Sequence, residues 1–326
     1  MNAGLIGCGL MGALHAEMAH ACGIKVVACA DASLSAARDL ALRIGAKAYN
    51  DADAILDRRD VEIIIIATPT PTHLELVQAA ASAGKHIFCE KPLARTTADA
   101  REAVQAAKRA GVKLFVGHVV RYFHEFEAIR AQIESDKIGK PGFVKTFRGG
   151  ALPGGAGKWF QDFEKSGGAV FDMLIHDFDW IRYVFGPVRR VFCQSLMKTE
   201  PVVLDYALVT LRLKSGVIAQ VVGSWAHPSG FRVRAEVCGS GGMIQYDSAQ
   251  TPISIAPRAG AKGATGTIVP SSPIAESPYL LEWRDFAGWL ADGKAPRLRP
   301  EDAVEAVRIA EAALTSNKTG QPVALN

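Results

Sequence analysis

No apolar run in this 326-residue chain approaches the about 20 residues that a bilayer span requires, so no membrane helix is expected. Cysteine is sparse. The six that occur (Cys8, Cys22, Cys29, Cys89, Cys193 and Cys238) form no CxxC pair and follow no zinc-ligand spacing, which argues against a disulfide scaffold and a structural zinc site. Several fall inside apolar strand-like runs, where reduced cysteine packs as a small hydrophobe; that usage fits a reducing, cytoplasmic setting. Charge of one sign is lacking too. There are 37 Lys and Arg against 33 Asp and Glu, leaving +4, with no basic run and no basic patch interleaved with aromatics. No nucleic-acid partner is expected. The N-terminus shows neither a basic leader region nor a cleavage site, so a soluble intracellular protein is expected. Internal repeats and low-complexity tails are absent.

What is present is material for a large core: 49% of the residues are apolar, and the length suits two domains. Up to residue 120, apolar runs at 3–6, 25–30, 61–67, 86–89 and 113–117 alternate with amphipathic segments at 11–22, 35–44, 52–56, 71–83 and 97–110. Runs apolar on both faces and separated by helices predict a parallel sheet covered on both sides, and right-handed crossovers make it doubly wound. After a helix expected over 122–135 the pattern changes. Alternating runs at 143–148, 188–197, 205–213, 217–225, 231–238 and 243–246 predict antiparallel strands. A loop rich in Gly, Ala, Ser and Pro over 256–278 and helices over 279–290 and 300–316 complete the chain. The expected class is α/β: a doubly wound parallel-sheet domain over 1–120, then an α+β domain with a large, mainly antiparallel sheet over 121–326.

Gly7-Cys8-Gly9-Leu10-Met11-Gly12 is G-x-G-x-x-G between the first strand and the first helix. Gly7 permits the tight turn, Gly9 lets a pyrophosphate approach the backbone, and Gly12 lets helix and strand pack closely. Leu10 and Met11 open the helix, whose free N–H groups and positive dipole end face the phosphates. This is the dinucleotide-binding signature of a Rossmann domain. Asp31 ends the second strand, 19 positions after Gly12, where a carboxylate accepts both adenosine ribose hydroxyls and repels a 2′-phosphate. NAD is therefore expected. Arg38, if turned toward the site, keeps NADP as the alternative, and Asp31 also has a plain reading as a strand-end turn residue beside Ser33 and Ser35.

Two further loops follow strand ends. Thr68-Pro69-Thr70-Pro71-Thr72-His73 is stiffened by its prolines and is placed to line a cofactor, with Thr68, Pro69 and His73 the candidate contacts. Glu90-Lys91-Pro92 puts a lysine just past a buried strand, where its ammonium can hold a substrate hydroxyl and steady a developing alkoxide; Glu90 can hold Lys91 or touch the nicotinamide side. The plain alternative is a surface Glu–Lys pair before a proline turn. Farther on, Asp172-Met173-Leu174-Ile175-His176-Asp177 follows Ser166-Gly167-Gly168. A carboxylate and an imidazole four apart stack on one helix face, so Asp172 can orient His176 and stabilise its protonated form. A metal site using Asp172, His176 and Asp179 has no further strong ligand at suitable spacing, and no metal is expected.

The ordered set G-x-G-x-x-G, Thr68-Pro69…His73, Glu90-Lys91-Pro92 and Gly167-Gly168…Asp172…His176-Asp177 resembles the glucose-fructose oxidoreductase / inositol dehydrogenase (Gfo/Idh/MocA) family over essentially the whole chain. The resemblance implies hydride exchange between a nicotinamide and a sugar or polyol carbon, with Lys91 as catalytic lysine and Asp172/His176 as the acid/base pair. It also implies homodimers or homotetramers built on the second sheet. Asp-Met-x-Ile-His-Asp-Phe-Asp is similar to the inositol dehydrogenase form. Two stretches depart from the family pattern: His118 and His124 flank the pair Arg121-Tyr122 where an aromatic and a proline are usual, and 149–158 is rich in glycine. His118, Arg121 and Trp159, with Phe231, are the candidate pocket wall; Asp177 and Asp179 are expected to serve as capping or network residues. Two other functions remain open: a lyase or glycosidase that oxidises its sugar only transiently, and a dinucleotide-bound regulator without chemistry.

Overall fold

The computed structural model describes residues 1–153, 156–198, 204–228, 230–250 and 275–325. Contacts divide the chain into two units, Met1–Val119 with Pro278–Val304, and Val120–Ser277 with Glu305–Asn326. The loop expected over 256–278 falls almost wholly outside the described residues, as does part of the glycine-rich stretch at 149–158. No helix among the described residues is long and apolar enough to cross a membrane.

The first unit alternates β1 (Asn2–Ile6), α1 (Leu10–Ala21), β2 (Lys25–Ala30), α2 (Leu34–Ile44), β3 (Lys47–Tyr49), α3 (Asp53–Leu56), β4 (Ile63–Ile66), α4 (His73–Ser82), β5 (His86–Glu90), α5 (Thr97–Arg109) and β6 (Leu114–Gly117). The strands lie in the order β3-β2-β1-β4-β5-β6, every neighbouring pair parallel. β4 is four isoleucines, all fully buried. Such a β-branched run suits a strand covered on both faces and no other place in a sheet. The strand order reverses between β1 and β4, and the loops at their carboxyl ends are where open α/β sheets bind ligands. β3 has only three residues and escaped the sequence pattern.

The second unit contains α6 (His124–Glu134), β7 (Pro141–Gly149), α7 (Phe163–Ser166), α8 (Gly168–Asp172), α9 (Ile175–Phe185), β8 (Val188–Lys198), β9 (Leu204–Leu213), β10 (Ile218–Ser224), β11 (Arg232–Gly239) and β12 (Gly242–Asp247). After them come α10 (Pro278–Asp292), α11 (Pro300–Thr319) and β13 (Val323–Ala324). The seven-stranded sheet runs β12-β11-β7-β10-β9-β8-β13, and only the β7–β10 pair is parallel. Alternation decides the faces: Val209 and Leu211 of β9 and Ala219 and Val221 of β10 point into the core, while Tyr206, Leu208 and Ile218 point out. Two acids of α9 are buried and each has an arginine: Asp179 takes two hydrogen bonds from Arg121 (2.7 and 2.6 Å), and Asp177 is paired with Arg148 at 2.9 Å. The sequence expectation of a network role for these two aspartates matches this geometry.

One helix departs from the expected division. The sequence places everything beyond 120 in one domain, yet α10 packs with the first unit. The reason is aromatic. Trp283 is fully buried and stacks on Phe88 of β5, ring centroids 4.4 Å apart and planes 8° from parallel, with Phe115 and Phe286 completing the cluster. The whole segment Pro278–Val304 joins the parallel-sheet unit with it.

Candidate active site

The glycine turn is built to be close to something. Gly7 has φ +97°, and a Cβ there would stand 2.5 Å from the carbonyl oxygen of Ala67; at Gly12 it would stand 1.9 Å from that of Gly7. Neither position accepts a side chain. Gly9, by contrast, has nothing within 4 Å of where its Cβ would be, so its backbone lies open to an incoming group. It precedes Leu10 and Met11, whose N–H groups belong to the unpaired donors of a helix start. Asp31 ties this turn down. Its Oδ2 accepts the Cys8 N–H at 2.8 Å and its Oδ1 the Ser33 N–H at 2.8 Å. The turn reading and the ribose reading of Asp31 are thus compatible, because each carboxylate oxygen keeps a further lone pair. Arg38 is exposed on α2.

The loop after β4 is internally bonded: the Thr72 hydroxyl donates to the Pro69 carbonyl at 2.9 Å and stands 2.7 Å from the Thr68 hydroxyl. His73, expected as a cofactor contact, is buried with 1% exposure. Its Nδ1 stands 2.7 Å from the Pro92 carbonyl oxygen and its Nε2 2.9 Å from that of Thr68. It ties the Thr68 loop to the Lys91-Pro92 segment, so it shapes the site through these two loops. Burial lowers its pKa, against the two carbonyls, which favour the protonated ring.

Lys91 follows the last residue of β5 and is half-buried; the Lys91–Pro92 bond is cis. Glu90 is buried. Its Oε2 accepts the Lys91 N–H at 2.9 Å and its Oε1 lies 2.6 Å from His15 Nε2. Burial pushes the Glu90 carboxyl up, but the His15 hydrogen bond, the Lys91 charge and the Lys91 N–H outweigh burial and hold it below its ordinary value. The surface-pair reading of Glu90 therefore fails: this carboxylate is an internal anchor.

In the second unit, Asp172 is buried and His176 half-buried. They do not share one continuous helix, as the four-residue spacing had predicted. Asp172 is the last residue of α8 and His176 the second of α9. At the junction the Leu174 N–H reaches back to Ala169 and the His176 N–H to Met173, so the regular i to i−4 ladder is interrupted. Two glycines in the left-handed region, Gly167 at φ +72° and Gly168 at +61°, turn the chain into α8. There Asp205 of β9 accepts the Ala169 N–H at 2.6 Å. Arg121 and His118 are each 1% exposed, and Arg121 is committed to Asp179. Trp159 is half-buried against Phe160, and Phe231 packs on the cluster of Ala169, Met173 and Trp225.

A family model described as an oxidoreductase family with an NAD-binding Rossmann fold (GFO_IDH_MocA) matches residues 1–118, and the model of the Gfo/Idh/MocA C-terminal domain matches 126–245. The chain belongs to the Gfo/Idh/MocA family. It is 32% identical to myo-inositol 2-dehydrogenase of Thermotoga maritima, covering 100% of this chain and 98% of that one. It is 30% identical to scyllo-inositol 2-dehydrogenase (NAD(+)) of Bacillus subtilis, covering 99% and 95%. Among solved structures, GenD2 from gentamicin A biosynthesis, in complex with NAD, superimposes with a TM-score of 0.90 at 27% identity, covering 100% and 96%. This Gfo/Idh/MocA member is an NAD-dependent oxidoreductase, and its open Gly9, close-packed Gly7 and Gly12, and Asp31 carboxylate fit that cofactor. Sequence reasoning missed His15, Trp283 and Asp205. His15 left one trace: it lies with Gly12, Ala16 and Ala19 on the buried stripe of α1, where a polar ring needs a partner. Trp283 and Asp205 left none.

Proposed function

We propose that this chain is a sugar or polyol dehydrogenase that exchanges hydride at a hydroxyl-bearing carbon of an inositol-like ring or related sugar. NAD, when bound, supplies the hydride acceptor. The Lys91 ammonium holds the substrate hydroxyl and stabilises the oxygen as negative charge develops on it. The His176 imidazole takes the hydroxyl proton, and the Asp172 carboxylate stabilises the imidazolium that results. Reduction uses the same groups in reverse. Trp159 and Phe231 are the half-buried candidates for shaping the substrate pocket, whereas Arg121 is buried and bonded to Asp179.

The observation that carries this reading is Lys91, a half-buried lysine at the carboxyl end of a parallel strand whose own N–H is fixed by a buried carboxylate. The inositol dehydrogenases among the full-length relatives support the substrate class. The test is a panel of inositols, aldoses and sugar acids, each assayed for NADH with NAD and separately for NADPH with NADP. We expect turnover of at least one cyclic polyol with NAD as the better cofactor. Lys91→Ala is expected to lower kcat by about 10²-fold or more; an undiminished rate in that variant removes Lys91 from the chemistry.

The same reading places the protein in the cytoplasm, consistent with six free cysteines. It also makes the protein a homodimer or homotetramer through the second sheet, whose outward face carries exposed Leu196, Tyr206, Leu208, Ile218 and Met243.

A further inference from the structure

We infer that His15 and Trp283 are positioning residues for Lys91, acting through Glu90 to fix the peptide from which the ammonium projects. This rests on the reading of Lys91 given above. The chain of contacts is short and each link has a direction. The Trp283 indole Nε1–H can only donate, and it lies 3.0 Å from His15 Nδ1. Nδ1 is therefore the acceptor and the ring proton sits on Nε2. From there it is donated to Glu90 Oε1 at 2.6 Å. The other oxygen of Glu90 accepts the Lys91 N–H at 2.9 Å. His15 and Trp283 are fully buried, and Glu90 is buried as well. The ring packs 4.8 Å from Phe88 and 6.1 Å from Trp283, centroid to centroid, and turning it over to exchange its nitrogens with ring carbons would break both hydrogen bonds. A carboxylate held at one oxygen by a fixed donor offers its second oxygen in a fixed place. The Lys91 N–H follows it.

Two helices and a strand thus meet at one peptide: α1 supplies the histidine, β5 the carboxylate, and α10 the indole. This gives α10 a reason to belong to the first unit beyond covering apolar surface.

The test separates a donor from a space-filler. His15→Leu fills the volume without donating. His15→Gln places an amide N–H where Nε2 stands. Trp283→Phe keeps the stack on Phe88 and removes the indole donor. With the panel polyol that yields most NADH, His15→Leu is expected to lower kcat by up to about 10²-fold, the cost of misplacing a catalytic group by about 1 Å, while KM and the NAD dissociation constant move by less than about threefold. His15→Gln should recover most of the rate, and Trp283→Phe should fall between them. Equal rates for Leu and Gln, or a loss spread evenly over kcat, KM and NAD binding, would overturn the inference. Histidine-ring nitrogen NMR of the unaltered protein gives a readout that needs no variant to fold. His15 must carry its proton on Nε2, and a proton on Nδ1 would exclude the indole bond. Lys91→Ala keeps the two levels apart. If it retains the rate, the functional reading of Lys91 fails. If it is inactive while His15→Leu is not, only the present inference fails.

Discussion

Asp205 shows how a single residue sets a pH dependence that no motif announces. It is fully buried; one oxygen takes the Ala169 N–H, and the other has no hydrogen-bond partner among the described residues. Burial raises its carboxyl from 3.8 to about 7, opposed by the Ala169 N–H and reinforced by the charge of Asp172. The folded protein therefore binds this proton over a pH range in which the unfolded chain has lost it, so stability must fall as pH rises from about 4 to about 7. A shift of about three units corresponds to a penalty of about 4 kcal/mol at neutral pH and above. Asp205→Asn keeps an oxygen for the Ala169 N–H and cannot ionise. Urea unfolding at pH 5 and pH 8 should show a smaller loss between the two in the variant than in the parent, with the variant the more stable at pH 8. An unchanged difference would assign the dependence to other groups. The residues legible in the sequence were those whose chemistry is local. Lys91 is marked by the strand before it and Gly7, Gly9 and Gly12 by their spacing. His73 was legible as a residue of the loop after a buried strand, but its bonding was not, because its two carbonyl partners lie 5 and 19 positions away.

At the scale of elements, periodicity located the long helices and strands and failed at breaks and short pieces. Asp172 and His176 have helical spacing, and the backbone at Met173 and Leu174 stays near helical angles, yet the hydrogen-bond ladder is interrupted between them. Spacing alone does not encode that interruption. α10 was found as a helix but given to the wrong neighbour, since its amphipathic pattern names an apolar face and not the surface that face covers. Its attachment is concentrated in Trp283. Trp283→Ala removes the stack on Phe88 and the donor to His15, and should destabilise the protein by about 3–5 kcal/mol in chemical denaturation. Trp283→Phe should cost clearly less. Glu282, the preceding residue, is fully buried, and burial, with the charges of Glu90 and Asp285, keeps its carboxyl well above its ordinary value. A carboxyl raised in this way costs the folded state stability once the unfolded chain's glutamate has ionised, so Glu282→Gln should be tolerated and should raise stability relative to the parent as pH rises above the ordinary glutamate range. A destabilised Gln variant at pH 8 would mean the acid is ionised in the native protein.

At the scale of the whole molecule, the outer face of the second sheet gathers exposed apolar side chains. Leu196 pairs with Tyr206, Tyr206 with Ser224, and Leu208 with Val222, so the exposed apolar side chains are cross-strand neighbours on one surface. If a second copy covers them, light scattering should find at least a dimer, and Leu208→Glu combined with Tyr206→Lys should shift it to monomer with the near-ultraviolet signature of the fold retained. Oligomers unaffected by these changes would place the interface elsewhere.

The sequence by itself determined the class of each sheet, the dinucleotide turn, the cofactor and the family, because all of these follow from local periodicity and from short motifs whose atoms act within a few residues of one another. Only the tertiary structure decided that α10 returns to the first unit, that Asp172 and His176 belong to successive helices, and that Glu90 is an anchor held by His15. Each of these depends on which distant groups meet in the core, where a buried donor or carboxylate must be paired, and hydrophobic patterning specifies that a face is buried without specifying its partner.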